Sequence, residues 1–106
     1  MEADVTRWQG SQPPDAEALR EELARERRPF ATWSNGPADS YAPHSHDYDK
    51  LLVCLRGSIT FTLPATGQRL ALAAGDRLYL PAQTAHSAVV GAAGVECAET
   101  HLPPRR

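Results

Sequence analysis

Residues 44–57 read HSHDYDKLLVCLRG. Two histidines one residue apart open the stretch, a run apolar on both faces (LLVCL, 51–55) follows, and a glycine closes it. In an extended strand residues i and i+2 share a face, so His44 and His46 project together. Two imidazoles on one face are a bidentate start for a divalent transition metal. The pair fits a satisfied surface or core position equally well, so the reading turns on what else the chain brings to it.

Working outward, the chain after Pro29 reads as short strands between turns. Upstream lie FATWS (30–34), the turn NGPADS and YAPHSH (41–46). DKLLVCLR (49–56) comes next, with Gly57 as a break. SITFTL (58–63) alternates, Ile59, Phe61 and Leu63 on one face and Ser58, Thr60 and Thr62 on the other. The turn PATG, the strand QRLALAA, a Gly75-Asp76 turn and RLYLPA (77–82) follow. AHSAVV (85–90), the glycine-bounded GAAG and VECAETHL (95–102) complete the series. Many short strands with no helix between them predict an all-β barrel or sandwich of antiparallel strands.

One helix is expected, over 13–28, PPDAEALREELARERR. Pro13 and Pro14 suit its start, acidic residues crowd its first half and arginines its last turn, and Pro29 stops it. Ala16, Leu19 and Leu23 form a narrow apolar stripe, while Glu21 and Arg25 are spaced to pair on the wet side. The helix should therefore lie across the outside of a core that the strands build. The organisation expected is one domain: an N-terminal segment with the helix (1–29), a barrel (30–102) and a short tail (103–106).

A chain of 106 residues supports one hydrophobic core. A net charge of -2 with no long block of like charge gives no reason to expect a nucleic-acid partner, and the Arg105-Arg106 pair is too short to change that. No run approaches the roughly 18 apolar residues of a membrane span. MEADVTRWQG lacks the charged-then-apolar order of a signal peptide, which with two cysteines in apolar runs, Cys54 and Cys97, predicts free thiols and a cytoplasmic location.

A second cluster bears on the histidines. GDRLYLPAQTAH (75–86) is a Gly-Asp turn, a short strand and a proline-containing loop that delivers His86. With it the chain resembles the cupin family. His44-Ser45-His46, Lys50 and Gly57 have the spacing of the first cupin motif; Gly75, Pro81 and His86 have that of the second. The resemblance covers roughly 40–90 and implies a small barrel of two facing antiparallel sheets, a jelly-roll-like double-stranded β-helix. It also implies a metal held by His44, His46 and His86 (Zn, Fe, Ni or Mn). Tyr41, Tyr48 and Tyr79 flank the site in sequence as candidate pocket walls, and Lys50, Tyr48, Tyr79 and Gln83 are expected in the pocket or directly behind it.

The chain departs from the family pattern where a glutamate ligand is usual: Lys50 stands there. Gln83 replaces the glycine of a Pro-x-Gly step, and Val90 an asparagine. A protonated lysine has no lone pair and adds positive charge beside a cation. Three arrangements follow. Lys50 leans out and pairs with Asp47 or Asp49; it stays inside as a cation that recruits an anionic ligand; or the pocket holds no metal. His101, near the chain end, is expected to be frayed and exposed.

Two classes of function remain open. One is a metal-dependent enzyme on a small molecule, a dioxygenase, isomerase or lyase. The other is a non-catalytic small-molecule or metal-sensing module. The strand 51–55 is apolar on both faces, so one face needs a cover beyond the core, and a homodimer joined sheet to sheet would supply it.

Overall fold

The computed structural model describes residues 2–103; Met1 and residues 104–106, with the Arg105-Arg106 pair, lie outside the described part. The elements are β1 (Asp4–Thr6), α1 (Ala16–Ala24), β2 (Ala31–Asn35), β3 (Ser40–His44), β4 (Asp49–Leu63), β5 (Gln68–Ala73), β6 (Arg77–Leu80) and β7 (His86–Leu102). All pairings are antiparallel. The main strand order is β1-β6-β4-β7-β2, with β5 added on β4 and β3 on β7.

Two long strands organise everything else. The first half of β4 pairs with β6 and with the second half of β7, Leu52 facing Glu99 and Cys54 facing Cys97. Its second half pairs with β5 and with the first half of β7, Phe61 facing Ala88. Each long strand thus serves both walls of the barrel and bends between them. The sequence reading splits them at Gly57 and at GAAG; the structure runs each through as one strand.

The bend explains the difference. Register shifts lie between Cys54 and Arg56 and between Gly57 and Ile59. The inward face changes phase there, from Leu52 and Cys54 to Ile59, Phe61 and Leu63. A break in alternation looks like a strand end in a sequence, yet here it is a bulged corner. Gly57 (φ 78°) and Gly94 (φ 79°) both take left-handed backbone, and a Cβ on Gly57 would fall 2.0 Å from the Gly94 carbonyl oxygen.

The barrel interior is built from Leu52, Cys54, Ile59, Phe61, Leu63, Leu70, Leu72, Leu78, Leu80, Ala88, Val90, Val95 and Cys97. Cys54 and Cys97 are buried free thiols, as expected. The opposite face of β4 buries Val53 and Leu55 against Ala16, Leu19 and Leu23 of α1, together with Ala98 and Phe30. The cover that the sequence assigns to a partner subunit therefore comes from the chain's own helix.

That helix is shorter than its expected span of 13–28. Asp15 is the N-cap, its carboxylate accepting from the Glu17 N–H at 3.1 Å, so Pro13 and Pro14 precede the helix rather than start it. Arg25 is the C-cap, and the arginines after it lie beyond the last turn. Glu21 and Arg25 form no ion pair among the described residues. Arg20 instead joins Glu17 and, across to β7, Glu96, which also pairs with Arg56 at 3.0 Å.

The N-terminal segment contributes a strand that the sequence reading missed. β1 adds to the edge of β6, Val5 opposite Leu78. Asp76 anchors the segment that follows: its carboxylate accepts from the backbone of Trp8 (3.0 Å) and Ala73 (2.9 Å) and from the Arg7 guanidinium (2.9 Å). Burial raises the Asp76 pKa, but these donors outweigh it and hold the group below its ordinary value. Three residues are too few for alternation to mark β1 as a strand; the exposed edge of β6 creates it.

Two outcomes test this architecture in urea unfolding experiments. Gly67 has φ 75° with nothing within 4 Å of an added Cβ. Gly67→Ala should therefore lose only the about 1–2 kcal/mol of left-handed backbone, and Gly57→Ala distinctly more, because it adds the clash with Gly94. Leu23→Ala should lose about 2–5 kcal/mol, since the side chain is 2% exposed over Val53 and Leu55. A loss under half a kilocalorie would mean that α1 does not cover β4 in solution.

Candidate metal centre

β3 ends at His44, and its antiparallel partner there is His86, the first residue of β7. His46 lies two residues past the end of β3, in the loop to β4, so the same-face argument for a continuous strand 41–46 does not describe it. The three rings converge nonetheless. Their centroids stand 4.9 Å (His44–His46), 4.4 Å (His44–His86) and 5.4 Å (His46–His86) apart. One ring nitrogen from each lies within 4.8 Å of the others.

The two loops that carry these residues are tied together. The Gln83 N–H donates to the His46 carbonyl at 2.7 Å. Asp49, 2% exposed, accepts from the Ala82 N–H at 2.7 Å and from the Tyr79 hydroxyl at 2.6 Å. A buried carboxylate with such donors is a structural clamp, and it fixes the loop that delivers His86. Gln83 holds φ 65°, which explains why a glycine suits this step in the family pattern.

Ring orientation is set by backbone carbonyls, which can only accept. His44 Nδ1 donates to the Ala42 oxygen (2.8 Å) and His86 Nδ1 to the Thr84 oxygen (2.9 Å). Each ring therefore keeps its lone pair on Nε2, the arrangement by which outer contacts orient metal-binding histidines. His46 Nε2 is buried and has no hydrogen-bond partner. An orphaned buried nitrogen costs free energy unless something occupies its lone pair or proton.

Burial lowers the pKa of His46, with the positive charges of Lys50 and His44 acting in the same direction. His86 is also lowered, again chiefly by burial, although its bond to Thr84 works the other way. Both shifts favour the neutral imidazole, the form that donates to a metal. The residues fit a divalent cation on three grounds: donor type, orientation and the orphaned nitrogen.

Lys50 is inside. Its side chain is 12% exposed and its Nζ stands 3.6 Å from Glu99 Oε1 across on β7. The outward-leaning arrangement is thereby corrected. Lys50 shares the inward face of β4 with Leu52, whereas Asp49 points to the other side, where the clamp uses it.

Glu99 is the functional candidate that the sequence reading missed. It accepts from Trp33 Nε1 (2.8 Å) and from His101 Nε2 (2.8 Å), besides its contact with Lys50. Burial raises the Glu99 pKa, but the His101 bond, the Lys50 charge and the Trp33 N–H outweigh it and hold the carboxyl below its usual range. The signal was present in VECAETHL, where Glu99 shares the parity of the core residue Cys97. An acidic residue at an inward position needs an explanation, and here it is the counter-charge to Lys50.

The other pocket expectations divide. Tyr48 stacks between His46 (4.8 Å) and His101 (4.0 Å), beside the site rather than in the cavity wall. Tyr79 faces Asp49, away from the cavity, and Gln83 is exposed; neither lines the pocket, because Tyr79 alternates with the inward Leu78 and Leu80. His101 is exposed, as expected, but not frayed: it belongs to β7, pairs in register with Lys50, and bonds Glu99. The cavity itself has a volume of about 210 Å³ and is lined by His44, His86, Lys50 and Glu99 among apolar walls.

No family model matches the chain, and no curated protein matches it. Solved structures do. A DUF861 family protein from Thermotoga maritima shares 18% identity over 95% of this chain and 100% of its own, with a TM-score of 0.62. A cupin superfamily protein from Desulfitobacterium hafniense shares 19% over 94% and 98%, TM-score 0.60. The polyketide cyclase RemF from Streptomyces resistomycificus shares 21% over 74% of this chain and 56% of its own, also at 0.60. At such identities the likeness is one of fold. Joined to the two antiparallel walls built on β4 and β7, it establishes that this chain has the cupin fold.

Proposed function

We propose that the protein is a metal-binding cupin whose centre is His44, His46 and His86, acting on a small molecule in the adjoining cavity. The observation that carries this reading is His46 Nε2, buried and without a partner beside two histidines whose Nε2 atoms are oriented by backbone carbonyls. Zinc, iron, nickel or manganese suits a three-imidazole donor set. A divalent metal there would supply Lewis acidity toward a small ligand, in the manner of a dioxygenase, isomerase or lyase. The chain's own residues orient the donors, exclude water with Leu52, Ile59 and Phe61, and present Lys50.

One observation favours the second reading, a non-catalytic sensing or binding module. Glu99, the carboxylate that lines the cavity, has its oxygens engaged by Trp33, His101 and Lys50, which leaves it poorly placed to take a proton. RemF, with a similar fold, is a polyketide cyclase, so the fold accommodates enzymes. A single domain, a cytoplasmic location and a homodimer belong to the same proposal. With α1 over Val53 and Leu55, such a dimer would use another surface.

The test is metal affinity by competition with a chromophoric chelator. The wild type should bind one equivalent of zinc, and His46→Ala and His86→Ala should each weaken it by more than about tenfold. Lys50→Glu should bind zinc more tightly, since it removes a cation and adds a donor oxygen. Unchanged affinity in both histidine variants would overturn the site. Oxygen uptake by the iron-loaded protein on thiols and diketones would identify the dioxygenase among the enzyme readings.

A further inference from the structure

We infer that the cavity takes a small monoanion, a carboxylate on an apolar body about the size of one ring, with the Lys50 ammonium as its seat. This deepens the reading of the cavity as a ligand site but does not depend on the metal.

The argument starts from the Lys50–Glu99 pair. A buried ion pair is stable when its geometry is good and the remaining donors are satisfied. Here the pair is loose, at 3.6 Å, and the Glu99 oxygen that Lys50 approaches already accepts from Trp33 Nε1 at 2.8 Å. The other oxygen accepts from His101. Glu99 is thus held on three sides, while Lys50 has three N–H donors and one distant carboxylate. The spare donors face the cavity, since Lys50 lines it.

Charge points the same way. Glu99 and Lys50 offset one another across 3.6 Å. A metal at the histidines would add positive charge beside that pair. One negative charge is accommodated beside Lys50, and among the described residues no arginine or second lysine lines the cavity to hold a doubly charged phosphate.

The walls set the rest. Leu52, Ile59, Phe61 and Ala88 are apolar, with Trp33 and Tyr41 as flat aromatic surfaces packed edge to face at 6.2 Å. A cavity of about 150 Å³ holds benzene. At about 210 Å³ this one has space for a ring with a carboxylate.

Trp33 reports on the cavity directly, and the chain has two tryptophans, so a Trp8→Phe background isolates its fluorescence. Benzoate and its neutral counterpart benzamide are titrated into metal-free and zinc-loaded protein. Benzoate should bind at least about tenfold more tightly than benzamide in both forms. In the metal-free protein Lys50→Met should abolish that preference and Lys50→Arg should keep it. Should Lys50→Met fail to fold because Glu99 loses its counter-charge, Lys50→Met/Glu99→Gln removes both charges together and should likewise bind the two probes equally. Equal affinities in the wild type, a preference that survives loss of Lys50 in the metal-free protein, or no saturation by benzoate would overturn the inference. Discrimination by metal-free protein that fails to bind zinc would uphold it while sinking the metal centre.

Discussion

Everything in this fold depends on two backbones passing at Gly57 and Gly94. β4 and β7 can each serve two walls only if both bend at the same level, and the bend brings the Gly94 carbonyl into the space where a Cβ on residue 57 would stand. Glycine at both positions, each with positive φ, lets the strands stay paired through the corner. Beyond it the inward face has changed phase, which is how Leu52 and Phe61 come to share one core.

The chemistry at that end is a problem of charge in a confined space. A lysine facing into a barrel is stable only with compensation, and Glu99 provides it from the neighbouring strand. The carboxylate usual at position 50 of the family pattern has in effect an inward counterpart on β7, held by an indole and an imidazole rather than by a metal. This leaves the three histidines without a fourth protein ligand among the described residues and leaves a cation beside them. A site so built favours ligands that bring their own negative charge.

The outer clamp completes the positioning. Asp49 and Tyr79 do not meet the cavity, yet with the Gln83–His46 backbone bond they hold the two histidine-bearing loops in register. Residues flanking a motif can thus matter by fixing its backbone rather than by touching a ligand. Tyr79 and Gln83, expected in the pocket or directly behind it, take this outer role.

The amino-acid sequence by itself determined the all-β class, the helix as a cover rather than a core element, and the trio His44, His46 and His86. Alternation, turn residues and motif spacing are local properties, and they survive whatever the tertiary arrangement does with them. Only the tertiary structure decided the rest. Whether Gly57 ended a strand or bent one depended on the Gly94 carbonyl, 37 positions away in the chain. Which carboxylate met Lys50 depended on β4 lying beside β7, so that distant Glu99 won over adjacent Asp47 and Asp49. The second apolar face of β4 met α1 because the intervening chain returns the helix to it, a contact that no local pattern encodes.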